Sequence, residues 1–502
     1  MSTYHSTRSC ALSCSSTEAI RTGIAGDGGL FVSDDLGKTT VDLQTLASKS
    51  YRELACEVLG ILLPSYSAGQ IESCVDEAYG SSFDSPEVTP LVTLNMPPDD
   101  DGVPTHVLEL WHGPTSAFKD VALQMLPRLM ARTGGDEAAN ERIMIVTATS
   151  GDTGKAALDG FADTPGCGIT VFYPEGKVSR VQELQMTTQQ GSNVSVCAVR
   201  GNFDDAQTAV KGIFADRGLA DRLHDRGIVL SSANSINVGR LVPQVVYYFS
   251  AYAQLLRSQA IALGDEVEFC VPTGNFGDIL AGYYAKRLGL PVSRLIVASD
   301  RNNVLCDFLT TGTYDRMRPF YATSSPSMDI LVSSNLERML YYLSDGDCEL
   351  VSFLMEQLAD EGSYTVSPEL LARIQGVFGS GWASEDDVAH AIATCWEANG
   401  YLIDPHTACG YHVLSKQPAA PGSRARVLLS TANPHKFPRT VASALGLFCP
   451  PDDFACMDVL ARCTETPIPE QLSSLRSRPV RFTDAVDITD MTGYVEHAAL
   501  NL

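Results

Sequence analysis

Residues 143–158 read IMIVTATSGDTGKAAL, and this stretch decides the fold. The run IMIVTA is apolar and β-branched with no polar alternation, as expected of a strand covered on both faces. Thr149, Ser150, Gly151, Asp152, Thr153 and Gly154 then turn the chain, and Lys155-Ala156-Ala157 opens a helix. A strand, a turn and a helix in that order form the first half of a parallel crossover unit. The helix start presents unpaired amides and about half a positive charge, and the glycines let an anion come close. Ser150 and Thr153 add hydroxyl donors. A plain capped turn has the same composition, so this window fixes the architecture and leaves the ligand open. It is not a P-loop, because no Gly stands five residues before Gly154 and Ala156 occupies the Ser/Thr position.

The same rhythm extends outward. GITVFYP (168–174) and VSVCAV (194–199) are further short apolar runs, and a long amphipathic helix is expected at VGRLVPQVVYYFSAYAQLL (238–256). A second series follows, with strands at VEFCVP (267–272), RLIVAS (294–299) and RVLLSTA (426–432). The expected fold class is α/β, with two open, mostly parallel sheets carrying helices on both faces. Ahead of them, residues 1 to about 95 carry helical patterns such as VDLQTLASKSYRELACEVLGILL. NMPPDDDGVPTH (95–106) has the composition of a linker. From about 450 onward the chain reads as a loop-rich tail.

VEFCVP runs into Thr273, Gly274, Asn275, Phe276, Gly277 and Asp278 before another helix, so the chain offers a second anion cradle of the same construction. GNFGD is not the GxGxxG dinucleotide fingerprint. A third feature is ELWHGPTSAFKD (109–120). Here Lys119 follows Phe118 and a Gly-Pro break, in a setting that suits a partly desolvated amine able to form an imine. A lysine whose stem lies along apolar surface has the same neighbours. The combination of one such lysine with two cradles at strand C-terminal ends favours a ligand site, because open α/β sheets gather their ligands there.

Composition limits the alternatives. With 36 Lys and Arg against 60 Asp and Glu, the net charge is −24, which repels nucleic acid and anionic membranes. The first thirty residues carry no signal or transit pattern, and no apolar run reaches the roughly 20 residues needed to cross a bilayer. A cytoplasmic protein is expected. The 14 cysteines include no CxxC pair, so buried free thiols are expected in place of disulfides. His406, Cys409 and His412 in HTACGYH rotate round a helix without a fourth donor nearby, so no metal is expected.

In order along the chain, YHSTR, EAIRTGIAGDGGLFV, ELWHGPTSAFKD, TATSGDTGKAA, SSANSINVGRL, PTGNFGD, SPSMDI, DPHTA and STANPHKF resemble the signature blocks of the threonine synthases of the bacterial and fungal branch. The resemblance runs from about residue 4 to 445. It implies pyridoxal 5'-phosphate in a cleft between the two sheets, bound covalently to Lys119. Gly274, Asn275, Phe276 and Gly277 would hold its phosphate, with Phe118 and Asp278 beside them. Asp152 would approach the ring hydroxyl, and Thr431 would face the pyridine nitrogen. Thr149, Ser150 and Thr153 match the loop that receives the substrate carboxylate. Lys177, Arg180, Asn237 and Arg240 are candidates for the substrate phosphate.

The implied reaction converts O-phospho-L-homoserine and water to L-threonine and phosphate. A relative that stops at 2-oxobutyrate and phosphate shares every motif, and a non-catalytic protein of the same fold is a third reading. The implied division places residues 1–95 in a mainly helical N-terminal domain. Residues 96–140 and 261–450 form a large cofactor-binding domain, 141–260 a smaller α/β domain, and 451–502 a tail. The sequence does not indicate an oligomeric state. Two departures from the family pattern stand out: Lys155 where a small residue is usual, and Ser327 where Ala is common.

Overall fold

In the computed structural model, residues 4–94, 102–133, 141–149 and 151–502 are described. Ser150, one of the expected substrate-loop residues, lies outside them, as does the first part of the expected linker. The two open sheets are present. The larger has six strands in the order Phe378–Trp382, Val292–Ser299, Glu266–Pro272, Ser423–Ser430, Thr105–Glu109 and Leu91–Leu94. All neighbouring pairs are parallel except the last. The smaller has five parallel strands in the order Ala485–Asp487, Val194–Arg200, Cys167–Pro174, Arg142–Ala148 and Ile228–Ser231. Their central strands are buried along almost their whole length, as continuous apolar runs require when both faces are covered.

Two helices connect the sheets. Val238–Arg257 is buried along nearly all its length and packs on helices Lys119–Met130, Gly277–Arg287 and Tyr51–Leu62. Lys119–Met130 in turn packs on Asp152–Phe161, the helix that follows strand Arg142–Ala148 of the smaller sheet. At that crossing the backbones touch. A methyl group at Gly160 would overlap the carbonyl of Leu123, so only glycine fits.

Three expectations differ from the structure. The N-terminal region has its helices, including Tyr51–Leu62 and Ala68–Tyr79, but also an antiparallel sheet in which Tyr4–Ser6 lies between Ser9–Cys14 and Phe31–Ser33. Leu91–Leu94, read with the N-terminal region, is the edge strand of the larger sheet. Residues beyond 450 form helix Asp453–Thr464, edge strand Ala485–Asp487 and helix Met491–Leu500. Met491, Val495 and Ala499 of that last helix are buried against Phe172, Cys197 and Ile213 of the smaller sheet's outer layer. Strands Tyr4–Ser6, Phe31–Ser33 and Ala485–Asp487, of three residues each, are too short to show alternation, which is why they resemble loops in the sequence.

The close crossing at Gly160 gives a direct test. Gly160→Ala forces the two helices apart and is expected to lower stability by about 1–3 kcal/mol, read from the urea unfolding midpoint. Gly26→Ala, where an added methyl meets no atom within 4 Å, serves as the control and should leave that midpoint nearly unchanged.

Candidate functional site

Lys119 is the first residue of its helix, and the segment before it is strapped to the strand Ser423–Ser430 and the residues after it. Leu110 N donates to Ser430 O (2.9 Å), Phe118 N to Thr431 O (2.8 Å) and Asn433 N to Ser116 O (3.1 Å), with Ala117 bridged to Ala432. Asp120 closes the turn by accepting from the Thr115 amide (2.8 Å) and hydroxyl (2.6 Å). Burial pushes its carboxyl up to about 7. The direction of the Lys119 side chain is therefore set by backbone pairing.

The Lys119 amine lies 4.7 Å from the centre of the Phe118 ring, and the residue is 8% exposed. Among the described residues it has no hydrogen-bond partner. Burial lowers its pKa to about 8; Asp152 and Asp278 oppose the shift, while Lys436 and Arg240 reinforce it. Those four groups come from different parts of the chain, so the fold gathers the sequence-predicted Asp152, Arg240 and Asp278 around one amine. Such an amine is partly neutral at physiological pH, as an imine-forming lysine requires.

The turn after Glu266–Pro272 is an open cradle. Phe276 adopts a left-handed conformation (φ 62°) and caps helix Gly277–Arg287. Among the described residues, the N–H groups of Gly274, Asn275, Phe276 and Gly277 donate to no protein acceptor. The carbonyl side of the turn is pinned from behind: Gly274 O accepts from Ser333 Oγ (2.8 Å), and Asn275 O accepts from Asn335 N and Nδ2 (both 3.1 Å). Four free donors at a helix start match a phosphate group. Asp278, buried beside them, is pushed up to about 7 by desolvation.

The other turn is built differently. Thr149 Oγ1 accepts from Gly151 N and Gly154 N (both 3.0 Å), which shapes the loop from within. Thr153 is half-buried beside it. Asp152 is enclosed: burial pushes its pKa up, but Lys436, 2.8 Å from Oδ1, and Lys119 hold it well below the usual carboxylate range. Gln182 Nε2 donates to Oδ1 and Ser327 Oγ to Oδ2, each at 3.2 Å. Ser327, one of the two departures from the family pattern, thus adds a hydrogen bond to this carboxylate. Thr431 is buried next to Phe118, and among the described residues its hydroxyl has no partner.

Not every expected residue joins the cluster. Lys177 and Arg180 are exposed after Cys167–Pro174, and Arg180 is paired with Glu183 (2.7 Å). Asn237 is the N-cap of Val238–Arg257, accepting from Gly239 N (2.9 Å) and donating to Ile20 O (2.8 Å), so both ends of its amide are engaged in structure. Lys155 is also structural. It is buried against Gln189 and Asp159 and does not lie on an exposed helix face. Arg240 stays in the site. It is 4% exposed, Nη1 donates to Ala233 O (2.6 Å), and Nε has no partner. Burial brings its guanidinium down to about 10, leaving it charged at neutral pH.

Sequence reasoning missed Lys436, which lies in the quoted STANPHKF block. Its amine donates to Asp152 and to Thr115 O (3.1 Å). The unpaired buried Ser116 Oγ and Gln185 Oε1 were missed as well. Of the three HTACGYH residues, His406 bonds Asp404 (2.7 Å) and accepts from Ser327 N (3.2 Å), Cys409 lies 4.0 Å from Ser325 Oγ, and His412 faces Asp387 (3.6 Å).

Comparison with known proteins agrees with this geometry. A family model described as pyridoxal-phosphate dependent enzyme matches residues 83–431, threonine synthase N terminus matches 3–79, and threonine synthase, C-terminal, matches 407–495. The last match reaches into the region where the sequence alone offered no resemblance. The chain is 39% identical over 476 residues to a threonine synthase of Schizosaccharomyces pombe, covering 89% of this chain and 90% of that protein. It is 36% identical over 527 residues to that of Eremothecium gossypii, covering 99% and 98%. The crystal structure of pyridoxal-phosphate-bound threonine synthase from Brucella melitensis superposes with a TM-score of 0.86 at 38% identity, covering 99% of this chain and 100% of that one.

The Asp152–Lys436 pair is open to test. Lys436→Met leaves a buried carboxylate without its cation and is expected to cost about 3–5 kcal/mol, measured by urea unfolding. Adding Asp152→Asn to that variant removes the stranded charge and should recover part of the loss.

Proposed function

Because the chain belongs to the threonine synthases, which are pyridoxal-phosphate-dependent enzymes, we propose that it converts O-phospho-L-homoserine and water into L-threonine and inorganic phosphate. One observation carries this reading. The Lys119 amine is buried, unpartnered and lowered to about 8 beside a phosphate-sized cradle of free amides. When bound, pyridoxal phosphate supplies the electron sink that makes the substrate's α-proton acidic.

The chain's own residues do the rest. The amides of Gly274 to Gly277 hold the cofactor phosphate, and the helix start behind them adds a positive field. Phe118 and Asp278 border the same space. Asp152, kept ionised by Lys436 and held by Ser327 and Gln182, presents an acceptor of fixed charge and direction toward the ring hydroxyl. The Thr431 hydroxyl would be a neutral partner for the ring nitrogen, and would leave the ring less electron-withdrawing than a carboxylate would. Lys119, with its amine part neutral, takes the proton from the substrate's α-carbon.

The Thr149–Thr153 turn, with Ser150 within it, receives the substrate carboxylate at the start of helix Asp152–Phe161. Arg240 is the cation for the substrate phosphate, because its Nε is free and its charge is desolvated. The Arg180–Glu183 pair and the helix cap at Asn237 support Arg240 over those two residues for that role. A cytoplasmic location belongs to the same reading, supported by 14 cysteines without a disulfide among them.

The deciding experiment incubates the holoenzyme with O-phospho-L-homoserine and separates the products. Threonine and phosphate in equal amounts are expected, and 2-oxobutyrate with phosphate but no threonine would sink the proposal. Lys119→Ala should stay folded by circular dichroism yet lose at least 10²- to 10⁴-fold in kcat, the range of a missing general base. The apoenzyme should bond added pyridoxal phosphate faster as pH rises, with a midpoint near 8. Below that pH the amine is protonated and cannot attack.

A further inference from the structure

Remote from this site, the N-terminal sheet brings two thiols together. Cys10 is exposed on Ser9–Cys14, an edge strand of the three-stranded sheet, and Cys348 is the half-buried first residue of helix Cys348–Asp360. The two lie 338 positions apart in sequence, yet their sulfurs are 2.6 Å apart. His5 is the third potential donor of this group. Its Nδ1 pairs with Asp34 and its Nε2 meets Tyr341 OH at 2.7 Å.

Distance decides between two uses of such a cluster. Two thiolates on one tetrahedral zinc ion, each about 2.3 Å from the metal, stand about 3.8 Å from each other. Bonded sulfurs stand about 2.05 Å apart. The observed separation is closer to the second, and both ring nitrogens of His5 already face other partners. We propose that Cys10 and Cys348 are an oxidation site that closes to a disulfide with a peroxide as the oxidant.

The chemistry balances in two steps. The Cys10 thiolate attacks hydrogen peroxide and, with uptake of one proton, becomes a sulfenic acid and releases water. The Cys348 sulfur then attacks the Cys10 sulfur. The S–S bond forms as the S–O bond breaks, and the Cys348 proton leaves with the hydroxide as a second water. Two thiols are oxidised and one peroxide is reduced. Exposure of Cys10 gives the oxidant access, and the half-buried Cys348, less accessible, serves as the resolving thiol.

The bond would fasten a contact on which the phosphate cradle depends. Thr7 and Arg8, next to the strand Tyr4–Ser6, donate to Glu337 (2.5 Å, and 2.9 Å to each oxygen), and Arg338 donates to Phe31 O (2.9 Å). Arg338 also bonds Asn335, whose amide braces the Asn275 carbonyl. A cross-link spanning most of the chain restricts the unfolded ensemble strongly, so the oxidised protein gains resistance to unfolding where the N-terminal sheet meets helices Leu336–Leu343 and Cys348–Asp360.

The holoenzyme is treated with a small excess of hydrogen peroxide and mapped by mass spectrometry without reduction. One peptide pair joining Cys10 to Cys348, lighter by two hydrogens, is expected, along with a thermal midpoint raised by a few degrees and returned by dithiothreitol. Cys10→Ser and Cys348→Ser should each abolish both changes. Over-oxidation of Cys10 to the sulfinic acid with Cys348 still reduced would overturn the proposal. So would one equivalent of zinc in the purified protein that is released only when either cysteine is replaced.

Discussion

A lysine amine withdrawn from water and given no hydrogen bond cannot stay fully charged, and the rest of the molecule is arranged around keeping Lys119 in that condition. The cost of stripping water from an ammonium ion is of the order of several kcal/mol. It is offset here only in part, by carboxylates at Asp152 and Asp278 that Lys436 and Arg240 partly cancel. The balance settles between full charge and full neutrality. Moving either cation away would let the carboxylates restore the proton, so the two positive side chains hold the amine's pKa down even without touching it.

That balance needs rigid supports from several distant segments. The strap from Ser116 to Asn433 fixes where the amine points, and the Asp152–Lys436 pair ties the smaller sheet's turn to the residues after the larger sheet's strand Ser423–Ser430. Ser333 and Asn335 support the cradle from the side away from its open amides. Except at the exposed Asn275, these supports are hydrogen bonds between buried groups, where the low dielectric makes both the bond and its loss weigh more. Breaking the Lys436 contact would therefore disturb the charge of one group and the position of another together.

The parallel core was legible because strands buried on both faces are written as unbroken apolar runs, and each cradle because glycines follow such a run directly. Lys119 stood out through its apolar neighbours. Lys436 did not, although it lies in a recognised block, because its partner is 284 positions away and the Pro434-His435 pair before it sets up no apolar surroundings. At Asn237 the sequence leaves two roles open for a related reason, since an amide that caps a helix and one that binds a ligand look alike in one dimension. Lys177 and Arg180 were chosen for charge alone, and only three-dimensional placement separates a solvated cation from a binding one. The short strands Tyr4–Ser6 and Ala485–Asp487 carry too few residues for any periodicity to appear.

The edge strand Ala485–Asp487 also bears on how the chain is made. Its partners in the smaller sheet span residues 142–231, so that sheet waits through the synthesis of about half the polypeptide before its outermost strand exists. At ribosomal rates of roughly 5–20 residues per second, that interval lasts tens of seconds. During it, the outer edge of Val194–Arg200 and the apolar patch later covered by Met491, Val495 and Ala499 face solvent or a chaperone. The nascent enzyme is thus most prone to aggregate while its catalytic half is already taking shape.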